Sequence, residues 1–146
     1  MKYFPHPLTD NETNELIRGT NLHFDKYGFR LFAVEKLATK EFIGFMVTTF
    51  DSFFTPCIEI GWRLKKEDWG NGYATEAANA CLNYGFKTLQ FDKVYSFTST
   101  INLRSEKVMQ KIGMVKTGEF NHPNIPRDNP LCRHILYEIY AHSNKI

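Results

Sequence analysis

One stretch constrains this chain more than any other: an alternating strand, a glycine-rich turn and a long amphipathic helix follow one another between Ile58 and Leu89. Ile58-Glu59-Ile60-Gly61-Trp62-Arg63-Leu64 alternates with period two, placing Ile58, Ile60, Trp62 and Leu64 on one face and Glu59, Gly61 and Arg63 on the other. Polar residues from Lys65 to Gly72 follow. Ala74, Ala77, Ala78, Cys81, Leu82, Gly85, Phe86 and Leu89 then recur at helical spacing, which predicts a helix running to Leu89. The turn between strand and helix is Trp69-Gly70-Asn71-Gly72-Tyr73-Ala74. Glycines let a ligand approach the main chain, and the free amides at a helix N-terminus attract anions, so a phosphate or pyrophosphate is the natural guest. A Walker loop is excluded, because no Gly-Lys-Ser/Thr closes the turn. A dinucleotide fingerprint fits poorly. Thr75 stands at its third small position, five residues separate the strand from Gly70, and Asp92 precedes the next strand instead of ending it.

The rest of the chain supplies the setting. Thr9-Asp10-Asn11-Glu12 reads as a capping box that opens a helix from about Asp10 to Lys26, with Leu16, Thr20, Phe24 and Tyr27 at helical spacing and Gly28 as its end. Phe29 to Glu35 and Glu41 to Phe50 read as a hairpin across the polar turn Lys36 to Lys40, and Ser52 to Pro56 as a connection. Lys93 to Thr100 is a strand. Leu103 to Ile112 is a shorter helix stopped by Gly113, and Val115 to Phe120 and His134 to Ala141 are the last strands. The loop between those two strands carries Pro123, Pro126 and Pro130. The order α-β-β-β-α-β-α-β-β predicts a mixed sheet with helices on its faces. No repeat or Pro/Gly/Ser-rich linker divides the chain, which reads as one domain over residues 1–146.

Composition excludes several classes. With 18 Lys plus Arg against 16 Asp plus Glu, the formal charge is +2, so bulk charge gives no reason to expect a nucleic-acid partner. No apolar run approaches a membrane span, and Met1-Lys2-Tyr3-Phe4-Pro5 is not a signal peptide; a cytoplasmic location is expected. Cys57, Cys81 and Cys132 are odd in number and widely separated, which rules out a complete disulfide framework. No His/Cys/Asp/Glu grouping has metal-ligand spacing, so no metal is expected.

Trp69-Gly70-Asn71-Gly72-Tyr73-Ala74 matches the acyl-CoA turn Gln/Arg-x-x-Gly-x-Gly/Ala, with Trp in the first place. Asn102-Leu103-Arg104-Ser105, followed by Gly113-Met114, matches an Asn-x-x-Ser…Gly-Phe pattern. Through these two motifs, in that order, the chain resembles the GNAT acetyltransferase superfamily, and within it the ribosomal-protein N-acetyltransferase-like (RimJ/RimL-like) branch. The resemblance runs from about Met1 to Tyr140. It implies an α/β GNAT acyl-CoA N-acyltransferase fold with a mixed, mostly antiparallel sheet flanked by helices. The branch normally has a further strand and helix upstream of Tyr3-Phe4-Pro5. The chain is therefore expected to be N-terminally short, with a homodimer partner covering the open sheet edge; alternatively, the true start lies upstream.

The resemblance also implies roles. Acetyl-CoA is the donor, and the acceptor is an amine: a protein N-terminal α-amine, or a small molecule such as a polyamine, an aminoglycoside or an amino acid. A non-catalytic CoA-binding module is the contrasting class. The amides of Gly70, Asn71, Gly72, Tyr73, Ala74 and Thr75 would cradle the pyrophosphate, and the main chain of Trp62, Arg63 and Leu64 would pair with the pantetheine amides. Asn102 would bond the pantetheine arm or cap its helix, or both. Lys107 and Arg104 are candidates for the adenosine 3′-phosphate or ordinary solvated cations. Glu59 is the candidate general base that deprotonates the amine, or a salt-bridged strand carboxylate paired with Arg63. Ser105 is the candidate acid for the departing thiolate, since Met109 occupies the place where relatives carry a tyrosine; its alternative is a serine bonding helix amides. Trp62 and Trp69 read as packing residues, Cys81 as an inert buried thiol, and His122, Arg127, Asp128 and His134 as surface residues around the proline loop. With no cysteine in the motifs, direct transfer is expected over an acyl-enzyme.

Overall fold

The computed structural model describes residues 9–27, 31–49 and 58–141. Helix α1 (Asp10–Tyr27) opens with the expected reciprocal cap: Thr9 N donates to Glu12 Oε2 at 2.7 Å, and Glu12 N to Thr9 Oγ1 at 3.2 Å. Leu16 is half-buried. The side chains of Thr20, Phe24 and Tyr27, and Gly28 with the neighbouring 29–30, lie outside the described residues, as do 50–57 with the expected connection and Cys57.

Strands β1 (Leu31–Glu35) and β2 (Phe42–Thr49) form the hairpin. Strand β3 (Glu59–Leu64) is followed by one 3-10 turn (Lys66–Asp68) and helix α2 (Tyr73–Asn83). Strand β4 (Lys93–Ser99), helix α3 (Leu103–Lys111), and strands β5 (Val115–Asn121) and β6 (Arg133–Tyr140) complete the order. The strands lie in one six-stranded sheet, β1-β2-β3-β4-β6-β5, antiparallel except where β3 meets β4.

The apolar repeat predicted a helix to Leu89, and the helical backbone runs to Thr88: α2 (Tyr73–Asn83) continues directly into a π-helical turn (Tyr84–Thr88), in which Leu89 N donates to Tyr84 O at 3.1 Å, and only the wider bonding of that last turn was not expected. The cause is local packing. Phe91 lies so close that a Cβ on Gly85 would meet its ring at 2.8 Å, and Phe91 N donates to Gly85 O at 2.9 Å. The extra residue in the turn lets the chain reverse there while Leu82, Gly85 and Phe86 still face inward.

The core lies between the sheet and helices α2 and α3. Met46, Ile60, Val94, Ile135 and Ile139 from the strands meet Ala78, Leu82 and Met109 from the helices, all 3% exposed or less. Ala78 lets α2 approach the sheet closely. Burying a side chain such as Leu82 contributes about 2 kcal/mol.

Strands β3 and β4 share a single register pair, Glu59 opposite Tyr95. Tyr95 N donates to Ile58 O at 2.8 Å; one step further, the buried Ser96 hydroxyl donates to Ile60 O at 2.8 Å. Beyond that point the two strands separate. Since Ile58 and Ile60 turn their carbonyls towards β4, alternation turns the main-chain N–H and C=O of Trp62 to the same, now open, edge.

Candidate active site

The separation of β3 and β4 opens a cleft of about 840 Å³ at the C-terminal ends of these parallel strands. Its walls are the start of β2 (Phe42 to Phe45), the end of β3 (Trp62 to Leu64), the glycine turn with the first turn of α2, and one side of α3 along its length. β2 approaches closely because Gly44 lacks a side chain: a Cβ there would lie 2.1 Å from Arg63 O.

The glycine turn faces this cleft. Gly70 and Gly72 have φ of +83° and +80°, and a Cβ on either would meet no atom within 4 Å, so both look onto open space. Gly72 caps α2, whose first intrahelical bond runs from Glu76 N to Gly72 O. The amides of Tyr73, Ala74 and Thr75 therefore precede the ladder. Asn71 folds back, its Nδ2 donating to Asp68 O at 3.2 Å, and holds the turn's shape from outside. Trp69 ties the turn to β3, its Nε1 donating to Leu64 O at 3.0 Å, while Arg104 of α3 stacks 5.2 Å above its ring. Among the described residues, the charged side chains lining the cleft are Arg63, Lys65, Arg104, Lys107 and Lys111 against Asp68 alone. Fixed amides and cations together make a site for a multiply charged anion.

Of the candidate catalytic and donor-binding residues singled out from the sequence, all but Glu59 and Asn71 line this cleft. Of the three β3 positions, Trp62 presents its main chain to the open edge. Arg63 is turned towards β2, where Phe45 is its register partner, and the Leu64 carbonyl is taken by Trp69. Asn102 caps α3: its Oδ1 accepts from Ser105 N at 3.3 Å and its Nδ2 donates to Thr98 Oγ1 at 3.1 Å. Ser105 lines the cleft one turn before Met109, which is buried at 1% exposure. Tyr137 is held away from the cleft, donating to Glu106 Oε2 at 2.8 Å and accepting from Gln110 at 3.2 Å. Glu59 stands where β3 and β4 part, about 13 Å along the strand from Arg63.

Sequence reasoning missed the β2 wall, Lys65, Asp68 and Lys111 as cleft residues. Trp69, read chiefly as packing, both packs and lines the cleft. Gly44, a lone glycine in the apolar run Phe42-Ile43-Gly44-Phe45-Met46, was the available signal, because a mid-strand glycine marks close approach of another backbone.

On the opposite face of the sheet, Phe97, Phe120, His122 and His134 meet in edge-on and tilted contacts, with 5.0 Å between the two imidazole centroids. His134 is buried, not a surface residue, and its Nδ1 lies 3.0 Å from Cys132 O. Burial lowers the pKa of both imidazoles, and their proximity lowers that of His122 further. The unfolded chain, with His near 6.5, then takes up protons more readily than the fold. The stability held by these neutral rings is therefore full above pH 6.5 and is lost as pH falls below it. Melting curves across that range should show the loss, and His134→Phe should flatten it; an equally steep acid limb in the variant would refute this assignment.

Ser99, 3% exposed, is register partner to His134, and its Oγ has no hydrogen-bond partner. An orphaned buried hydroxyl costs about 1–3 kcal/mol. Ser99→Ala should raise stability by about 1 kcal/mol in urea denaturation; a lower midpoint would show that the hydroxyl is satisfied in solution.

The architecture is a mixed six-stranded α/β domain with a cleft where β3 and β4 part. Residues 1–115 match the model of the acetyltransferase (GNAT) domain, and the chain belongs to that family. The chain is 35% identical over 115 residues to the uncharacterized protein YkkB of Bacillus subtilis (strain 168), covering 78% of this chain and 67% of that protein. A crystal structure of a GNAT-family acetyltransferase from Bacillus anthracis superposes with a TM-score of 0.78 at 29% identity, covering 97% of this chain and 81% of the other. The ribosomal-protein-S5-alanine acetyltransferase from Vibrio fischeri has a TM-score of 0.73 at 23% identity over 91% of this chain and 72% of its own, a likeness of fold alone. The GNAT fold generally uses acetyl-CoA. Among the described residues, no helix is long and apolar enough to cross a membrane, and no three His, Cys, Asp or Glu side chains are grouped to hold a metal ion.

Proposed function

We propose that this chain is an acetyl-CoA-dependent N-acetyltransferase that moves the acetyl group directly to a primary amine. One observation carries the reading: a glycine cradle, a helix N-terminus and five basic side chains converge on a cleft that opens between parting strands. The residues present suit the donor. Gly70 and Gly72 leave free the space that side chains would fill, the amides from Tyr73 to Thr75 precede the helix ladder and would receive an anion, and Trp62 offers a strand edge to a pantetheine arm. Arg104, Lys107 and Lys111 lie along one side of α3 and suit the outlying phosphate. When bound, the donor supplies a thioester-activated acetyl group.

The chain's own residues handle protons. Glu59, at the fork of β3 and β4, is assigned as the base that takes the proton of the acceptor amine, through water where the distance requires it. Ser105 is assigned as the hydroxyl that serves the departing sulfur, because Met109 has no proton to give and Tyr137 is engaged elsewhere. Direct transfer is supported by the two described cysteines. Burial pushes the Cys81 thiol up to about 11, Cys132 is buried with its Sγ 3.3 Å from Ile125 O, and neither lines the cleft. Such thiols are poor nucleophiles at neutral pH.

For the acceptor, the resemblance to the ribosomal-protein N-acetyltransferase-like branch supports a protein α-amine, which titrates near ~8 and needs less help than a lysine near ~10.4. A small-molecule amine is the competing acceptor. In this reading the chain acts in the cytoplasm as a homodimer, a second copy lying along the β1 edge. The test is a thermal-shift titration with acetyl-CoA, with NAD and ATP as controls. A hundredfold excess over Kd should stabilise the fold by about 2.7 kcal/mol. A rise with acetyl-CoA alone is expected; no rise, or an equal rise with ATP, overturns the donor assignment. Binding without turnover on any amine would favour the CoA-binding module.

A further inference from the structure

An acidic residue is unexpected in a cleft otherwise lined by cations, yet Asp68 is among the lining residues and is 6% exposed. An unpaired carboxylate there would repel an anionic ligand and would itself be costly to bury. Its partner comes from outside the cleft. Lys36, in the turn between β1 and β2, places Nζ 2.8 Å from Asp68 Oδ1 and 5.9 Å from the ring centroid of Tyr73, the first residue of α2. The charges continue outward, with Lys36 3.4 Å from Glu41 and Glu41 3.5 Å from Lys65. Asp68 also shapes the cradle through its main chain. Its amide closes the 3-10 turn on Lys65 O at 3.0 Å, and its carbonyl accepts from Asn71 Nδ2 at 3.2 Å.

We propose that Lys36 is a positioning and charge-balancing residue for the anion cradle: by neutralising Asp68 from behind, it allows the turn at Gly70 and Gly72 to accept the phosphates of an acyl-CoA. This rests on the acyl-CoA reading above and deepens it, since it assigns ligand affinity to a residue that lies outside the lining of the cleft. The hydrogen bond to Asp68 holds the Lys36 pKa above its ordinary value, so the ammonium persists through neutral pH.

The inference has a sign that a simple brace lacks. Removing the Lys36 charge leaves a bare carboxylate beside the phosphates and should weaken binding. Removing the Asp68 charge leaves an extra cation there and should not. A pair that only braces the turn would lose affinity with either change. Calorimetric titration of the full chain with CoA decides between them. Lys36→Met should weaken binding about tenfold at low salt, and Asp68→Asn should bind as tightly as the unchanged chain or more tightly. Lys36→Met with Asp68→Asn should recover most of the loss, and the Lys36→Met penalty should shrink at high salt. Equal weakening by the two single changes, or a penalty that survives both the double change and high salt, overturns the inference. Where Lys36→Met alone does not fold, Asp68→Asn still decides, because weaker binding in that variant contradicts charge balance. If the unchanged chain binds no CoA, the acyl-CoA reading itself fails, which is a different result from normal binding that is indifferent to Lys36.

Discussion

Gly44→Ala is expected to destabilise the fold by about 3 kcal/mol or more, enough to leave a domain of this size largely unfolded at moderate temperature. The new Cβ would lie 2.1 Å from Arg63 O and 2.7 Å from Leu64 Cα, both main-chain atoms of β3, so no side-chain rotation relieves the overlap. Gly44 also has φ of +152°, a conformation that L side chains rarely adopt. Relief requires β2 and β3 to move apart at the pair Gly44–Leu64, which is the wall of the cleft. Gly61→Ala is the control, because a Cβ there meets nothing within 4 Å although the residue is on the adjacent strand. Urea denaturation should show a large fall in midpoint for the first change and a small one for the second. Equal midpoints would mean that β2 and β3 are not packed this closely.

Glu59→Gln should lower kcat by about a hundredfold or more, the usual worth of a positioned general base, while leaving the affinity for CoA unchanged. The separation arises from position. Glu59 stands at the fork, opposite Tyr95, about 13 Å along β3 from the cleft wall at Arg63. An amide keeps the shape of the carboxylate but cannot take a proton. Steady-state kinetics with a reactive amine, alongside CoA titration, separates the possibilities. Full activity in the variant would make Glu59 an ordinary strand carboxylate. A parallel loss of CoA affinity would make its role structural.

How far these residues were legible beforehand depended on range. The capping box at Thr9 and Glu12, the hairpin and the stop at Gly113 are short-range features, in which a few adjacent residues settle their own hydrogen bonds or backbone angles. The glycine cradle was legible for the same reason: strand, turn and helix N-terminus are contiguous, so the chain's own order brings their amides together. The extent of the helix was legible, since the apolar repeat continues through Gly85 and Phe86; its change to π-type bonding over Tyr84–Thr88 was not, because that turn packs against Phe91, which the repeat does not include.

The rest of the site was decided across the sheet. Nothing near Asp68 in sequence announces Lys36, more than thirty positions earlier; the β1–β2 hairpin has to fold onto β3 before the two charges meet. Nothing in β3 alone shows that its edge opens at Trp62, since that follows from β4 pairing at one position and then leaving. Sequence by itself determined the elements, the glycine turn at the start of α2 and many of the residues that line the cleft, because periodicity and turn chemistry act between near neighbours. Tertiary structure alone decided the cleft's far wall on β2, the pairing of Asp68 with Lys36 and the stranded hydroxyl of Ser99, because a close backbone approach, an ion pair and a missing hydrogen bond exist only between segments that folding brings together.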